Sequence, residues 1–115
     1  MATTEECRAA LDRLSDSMAG ANGDVRAAAA LDRTLSCRIT DLDVTFSGRL
    51  KDGRIEVQST RPGPPADKAQ IRLAMTGDDL VALVNGRLNF AKAWAAGRVR
   101  LEASFRDLLR LRTLL

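Results

Sequence analysis

Residues 74–115 read A-M-T-G-D-D-L-V-A-L-V-N-G-R-L-N-F-A-K-A-W-A-A-G-R-V-R-L-E-A-S-F-R-D-L-L-R-L-R-T-L-L, and this stretch decides the fold. Thr76 has the hydroxyl to cap a helix, and Asp78 and Asp79 fall in its first turn, where the helix dipole favours negative charge. Leu80, Leu83 and Val84, with Val81 at the margin, give that helix a buried stripe, and Gly86 ends it. Asn89 caps a short helix in which Phe90 and Trp94, four apart, share a face, and Gly97 stops it. Val99, Leu101, Ala103 and Phe105 then alternate with Arg98, Arg100 and Glu102, the period of a half-buried strand. Ser104 caps a terminal helix from Phe105 to Leu115. So much apolar surface on such small elements, with no catalytic chemistry beside it, points to a domain that encloses something apolar.

Upstream the same rules predict helix, helix, then strands. Thr4 caps a first helix whose Cys7, Ala10, Leu11, Leu14 and Met18 recur at helical spacing, ended by Gly20, Asn22 and Gly23. Asp24 opens a second helix through Val25, Ala28 and Leu31 to about Leu35. Val44, Phe46, Gly48 and Leu50 then alternate with polar residues. Lys51-Asp52-Gly53-Arg54 marks a hairpin into a strand with Ile55 and Val57 inward. Inward parity switches from odd (Cys37, Ile39) to even (Leu42, Val44), which predicts a break or bulge near Asp41. Arg61-Pro62-Gly63-Pro64-Pro65 reads as an exposed loop outside any ladder. Ile71, Leu73 and Met75 face inward on a further strand. One polar and one apolar face per strand imply an antiparallel sheet, with helices on one side and solvent or another subunit on the other, an α+β fold.

Composition narrows function. The 115 residues fit one domain, with no linker or repeat dividing 1–115. Aromatics are 3% of the chain, so the core is aliphatic. There is no histidine and no tyrosine, which removes the usual general base, the Ser-His and Cys-His nucleophile pairs and histidine metal sites. Cys7 and Cys37 are far apart and outside any C-x-x-C, so they read as buried hydrophobes in a reducing compartment, with no disulfide or metal required. Asp41 and Asp43 lack a third carboxylate at loop spacing and read as a solvated edge. The net charge of +3 demands no polyanionic partner. Glu102 and Asp107 interrupt the C-terminal arginines, and no stacking aromatics are interleaved, which argues against nucleic acid. The acidic N-terminus lacks a signal-peptide pattern and no apolar run approaches a membrane span, so a cytoplasmic protein with at most peripheral membrane contact is expected. For the Leu-rich end, Leu108, Leu109, Leu111, Leu114 and Leu115, three readings stay open: a plain core helix, a lid over an apolar cavity, or a surface that meets membrane.

The run Asp78-Asp79-Leu80-Val81-Ala82-Leu83-Val84-Asn85-Gly86, followed by Ala91-Lys92-Ala93-Trp94-Ala95-Ala96-Gly97-Arg98-Val99-Arg100-Leu101, resembles the sterol carrier protein type two-like family over roughly Ile71 to Leu111. The Lys51-Asp52-Gly53 hairpin fits it too. The resemblance implies a five-stranded sheet covered by helices around an apolar tunnel for sterols, fatty acids or acyl-CoAs. It implies no catalytic residues, no metal and no cofactor. The implied pocket lining is Leu80, Leu83, Val84, Phe90, Trp94, Leu101 and Phe105, with Leu108 and Leu109 from the closing helix. With Thr113-Leu114-Leu115 as its last residues, no peroxisomal address is expected. The reading is therefore non-catalytic binding or carriage of an apolar ligand. The alternative is a protein-interaction or homodimerisation module that keeps the scaffold without a cavity.

Overall fold

Thr3 and Glu6 start the chain's first element with a reciprocal pair of bonds. The Glu6 amide donates to Thr3 Oγ1 and the Thr3 amide donates to Glu6 Oε1, each at 3.1 Å. This is a capping box, so the cap is Thr3 rather than the expected Thr4, and helix α1 runs Thr4–Ala19. The structure, a computed structural model, describes residues 2–19, 32–51, 54–65 and 68–111, leaving aside the side chains of 17–19, 110 and 111. Most of the helix expected from Asp24 lies outside the described residues. Its expected end does not: Leu35 belongs to strand β1, Arg33–Ile39. Strands β2 (Val44–Lys51), β3 (Arg54–Pro62) and β4 (Ile71–Met75) follow. Helices α2 (Gly77–Val84) and α3 (Phe90–Ala95), strand β5 (Arg100–Glu102) and helix α4 (Phe105–Leu111) complete the order.

The five strands form one sheet in the order β3-β2-β1-β4-β5. It is mixed: β1 pairs with β2 antiparallel and with β4 parallel, and the other ladders are antiparallel. Alternation reports which face is buried and not which way a neighbour runs, so the parallel ladder was not legible in the sequence. The parity switch near Asp41 is a turn between β1 and β2, in which Asp43 takes a left-handed φ of 52°, a conformation Asp tolerates. The bulge lies elsewhere, between Ser47 and Gly48. Ser47 faces Ser59 and Gly48 faces Val57, which leaves Gln58 as the extra residue. Arg61 and Pro62 close β3, Pro62 opposite Val44. β3 is an edge strand, where a residue without an N–H is tolerated.

One face of the sheet carries the apolar residues and the helices. Cys7, Ala10 and Leu11 of α1 are buried in one cluster with Cys37, Ile39, Phe46, Met75, Leu80, Ala93 and Val99. Leu35, Leu50 and Ile71 form a second cluster, flanked by Leu14, Ile55, Leu73, Leu101 and Ala103. Thr76 caps α2 as expected, its hydroxyl accepting from the Asp79 amide, and Asn89 caps α3 by accepting from Lys92. Ser104 Oγ accepts from the Asp107 amide at 3.2 Å and starts α4. That turn removes Phe105 from the strand: the inward position expected of it is wrong, and its side chain is 78% exposed.

Gly48 tests the bulge. A Cβ there would overlap the Glu56 backbone carbonyl. Backbone in a paired ladder cannot yield as a flexible side chain does. Gly48→Ala is expected to lower the unfolding free energy by at least about 2 kcal/mol. Urea unfolding checks this, and an unchanged midpoint would contradict the register at Ser47.

Candidate functional site

The nine residues expected to line a pocket divide into three groups. Leu80 is buried in the main cluster under α1, and Leu83, Val84 and Phe90 pack against that cluster while partly buried. Leu101 packs against the second cluster, paired across the ladder with Leu73. Trp94, Phe105 and Leu109 are 43%, 78% and 52% exposed, and Leu108 is half-buried. Phe90 and Trp94 share a helix as expected, but Ala93 takes the fully buried position between them. Phe90 therefore borders the core and Trp94 stands further out.

Sequence reasoning left residues of the same apolar layer unassigned. Cys7, Ala10 and Leu11 of α1, with Ile39, Phe46 and Met75 of the sheet, form its floor and roof. Their helical and alternating periods were visible, yet no period tells which helix lies over which strand. Among the described residues one void in this layer, beside Leu11, Leu35, Cys37 and Phe46, measures about 10 Å³. That is about one water-sized probe and far below a ligand's volume.

Polar ties fix the helices around the layer. Asp78 Oδ1 accepts from the Ala2 amide at 2.7 Å, and Asp41 Oδ1 accepts from the Gly77 amide at 2.9 Å. Arg13 Nη1 donates to Asn85 Oδ1 at 2.9 Å, so α1 and α2 run side by side in the same direction. Arg98 Nη2 donates to Asp79 Oδ1 at 2.5 Å, joining the turn after α3 to the first turn of α2. Asp78 and Asp79 therefore do more than complement the dipole. Asp107, 4% exposed, accepts from Arg33 Nε at 3.0 Å and ties α4 to the start of β1. Residues 112–115 and the side chain of Leu111, on which the lid reading depends, lie outside the described residues.

Among the described residues no group of His, Cys, Asp and Glu could hold a metal ion, and no helix is long and apolar enough to cross a membrane. What the layer can do chemically is exclude water from an apolar guest.

This chain belongs to the SCP-2 sterol transfer family, whose model matches residues 10–115. None of the curated proteins compared matches it. The sterol carrier protein domain 2 of Helicoverpa armigera is 16% identical, with 98% of this chain and 89% of that one covered and a TM-score of 0.67. The palmitated SCP2L2 of Aedes aegypti is 12% identical, covering 98% and 94%, with a TM-score of 0.58. The stereoselective inverting sec-alkylsulfatase Pisa1 of Pseudomonas sp. is 24% identical over 90% of this chain, with a TM-score of 0.55. This chain spans only 16% of that enzyme's length.

The two thiols in the layer are held neutral. Burial, then the negative charges of Asp41, Glu6 and Asp78, push the Cys7 thiol up to about 11. Burial, then Cys7, push Cys37 up to about 12. Folding thus favours the protonated thiols. This stability is fully present below the ordinary value of 9.0 and is lost as pH rises from there toward 11 and 12. At about pH 8 iodoacetamide is expected to label both at least about a hundredfold more slowly in native protein than in concentrated guanidinium. Equal rates in the two conditions would contradict burial at either site.

Proposed function

We propose that this chain binds and carries a single-chain lipid or sterol, such as a fatty acid, an acyl-CoA or a sterol, without transforming it. The proposed site is the layer between the sheet and α1, α2 and α3. Leu80, Leu83, Val84, Phe90 and Leu101 line it, and Trp94, Phe105, Leu108 and Leu109 close over the guest. One domain, residues 1–115, carries the activity.

The observation that carries this reading is the unfinished rim of the main cluster. Val81, Leu83, Val84, Leu88 and Phe90 all pack on the core and all stay partly buried. A guest inserted among them removes that surface and its own from water. Burying about 300 Å² of ligand contributes roughly 7 kcal/mol at about 25 cal/mol per Å². Association costs several kcal/mol, so an affinity in the micromolar range is expected. Family membership over residues 10–115 supports the same reading, as does the palmitated state of the Aedes aegypti relative. A guest entering at the rim parts Phe90 and α3 from the main cluster. Side chains of this kind at a helix only six residues long can shift at modest cost.

The 10 Å³ void favours a second reading, an interaction module that presents Trp94, Phe105 and Leu109 to a protein, a second copy of the chain included. Native mass spectrometry of freshly purified protein separates the two. Carriage predicts co-purifying lipid and a blue shift of Trp94 emission, the chain's one tryptophan, when palmitate, palmitoyl-CoA or cholesterol is added. A ligand-free protein whose emission and melting temperature ignore all three, and which dimerises, would establish the second reading instead.

A further inference from the structure

Helix α4 is packed with its acid inward and its aromatic outward. Asp107 is buried and accepts from Arg33 Nε of β1 at 3.0 Å, whereas Phe105 and Leu109 of the same helix are exposed. Successive residues of an α-helix turn by about 100°, so Asp107 stands nearly opposite Phe105, and Leu109 shares the Phe105 stripe. The ion pair therefore holds α4 to the sheet by one side and turns its apolar stripe away from the protein. On α3, Ala93 is buried and the adjacent Trp94 is exposed. Between α3 and α4 runs β5, an edge strand of the sheet. Among the described residues, the large apolar side chains left exposed are Trp94, Phe105 and Leu109, and all flank this one edge.

The same edge is basic. Residues 87–109 carry Arg87, Lys92, Arg98, Arg100 and Arg106 against Glu102 and Asp107. Both acids are engaged, Asp107 by Arg33 and Glu102 by Arg72. Lys92 of α3, Arg100 of β5 and Arg106 of α4 are exposed, one on each element. Apolar bulk and positive charge thus coincide along α3, β5 and α4. A second copy of the chain is a poor occupant of such an edge, because a two-fold interface would set like charges against each other. A bilayer with anionic headgroups suits it. Lysine and arginine stay at the headgroups while tryptophan, phenylalanine and leucine reach the start of the acyl chains. The indole of Trp94 fits that boundary, being apolar with a single N–H to donate.

We propose that the α3–β5–α4 edge is a docking surface for an anionic lipid bilayer, with Trp94, Phe105 and Leu109 at the acyl boundary and Lys92, Arg100 and Arg106 on the headgroups. Apolar insertion and charge attraction add, so the pair attaches the protein where either alone is weak and reversible. The buried Arg33–Asp107 pair sets the angle at which α4 presents its stripe. Docking needs only side chains that are exposed in the guest-free protein, so the inference does not rest on the lipid-carrier reading. On that reading, the residues that close over a guest are the ones that meet the bilayer before it is taken up, and docking brings the rim at Phe90 beside the lipid.

Flotation of the full chain with vesicles tests it. Partitioning onto phosphatidylcholine mixed with phosphatidylglycerol is expected, at least about tenfold weaker on phosphatidylcholine alone and falling as salt is raised. Phe105→Ser with Leu109→Ser should lower partitioning at least about tenfold. Lys92→Gln, Arg100→Gln and Arg106→Gln together should do the same. Removing equal charge around the opposite edge, by Lys51→Gln, Arg54→Gln and Arg61→Gln, should change it less than about threefold, since those charges lie away from the bilayer. All the substituted side chains are exposed, so each variant should keep the parent's melting temperature. Brominated acyl chains in the mixed vesicles should quench Trp94, the chain's one tryptophan. The proposal is overturned if the protein does not float with the mixed vesicles, if the Phe105 and Leu109 variant floats as the parent does, or if the opposite-edge variant loses as much as the β5-edge one. A dimer that the Phe105 and Leu109 changes dissociate, with no flotation, would overturn it and assign the patch to a second copy. Protein that co-purifies with lipid yet does not float would sink this inference alone and leave the carrier reading standing.

Discussion

The close approach of α1, β1 and α2 at Gly77 is the constraint on which the rest of the fold depends. A Cβ on Gly77 would lie 3.0 Å from Cys7 Sγ, 3.3 Å from Ala2 Cβ and 3.5 Å from Ile39 Cγ2. Gly77, Cys7 and Ala2 are small enough to let α1 and α2 close on each other over Ile39 of β1. The contact is bracketed by two polar ties, the Ala2 amide to Asp78 and the Gly77 amide to Asp41. Together they set the depth of α1 over β1, the central strand. Ser15 Oγ, near the other end of α1, accepts from the Ile55 amide at 3.0 Å and sets its angle. The apolar layer is the space these three fixings leave.

The elements after Ile71 were legible in the sequence because each is short and carries its own punctuation. Thr76, Asn89 and Ser104 cap helices, and Gly86 and Gly97 take φ values of 75° and 80° where helices end. Such signals are local, so one sequence displays them. The errors fall where pairing decided the outcome. Leu35 was assigned to a helix through the alanines before it, yet it lies in β1, flanked by Gly48 and Ile71. Ladders on both sides outweigh a weak local preference. The same holds for Arg61 and Pro62, which β2 draws into an edge strand.

The candidate lining shows the same division. Leu80, Leu83, Val84 and Phe90 were placed by helical spacing, and all four join or border the main cluster. Trp94 was placed by the same helical spacing as Phe90, and Phe105 by alternation, and both are exposed. Periodicity identifies a face of an element. It does not say whether a neighbour is present to cover that face, and α3 and α4, of six and seven residues, are too short to impose one. Their exposed aromatics mark where the apolar layer remains incomplete among the described residues.

The two faces of the sheet divide the protein's chemistry. On the helix side apolar groups are packed closely enough to push two thiols to about 11 and 12, and a void of about 10 Å³ lies beside Leu11 and Phe46. On the other side a recess of about 520 Å³ is lined by Ser36, Thr45 and Ser47. An apolar layer can admit a guest only by parting, since van der Waals contacts fill it already. A polar recess can stay open because water satisfies its hydroxyls. On the lipid-carrier reading, the helix side therefore opens at a conformational cost that the guest's own burial offsets.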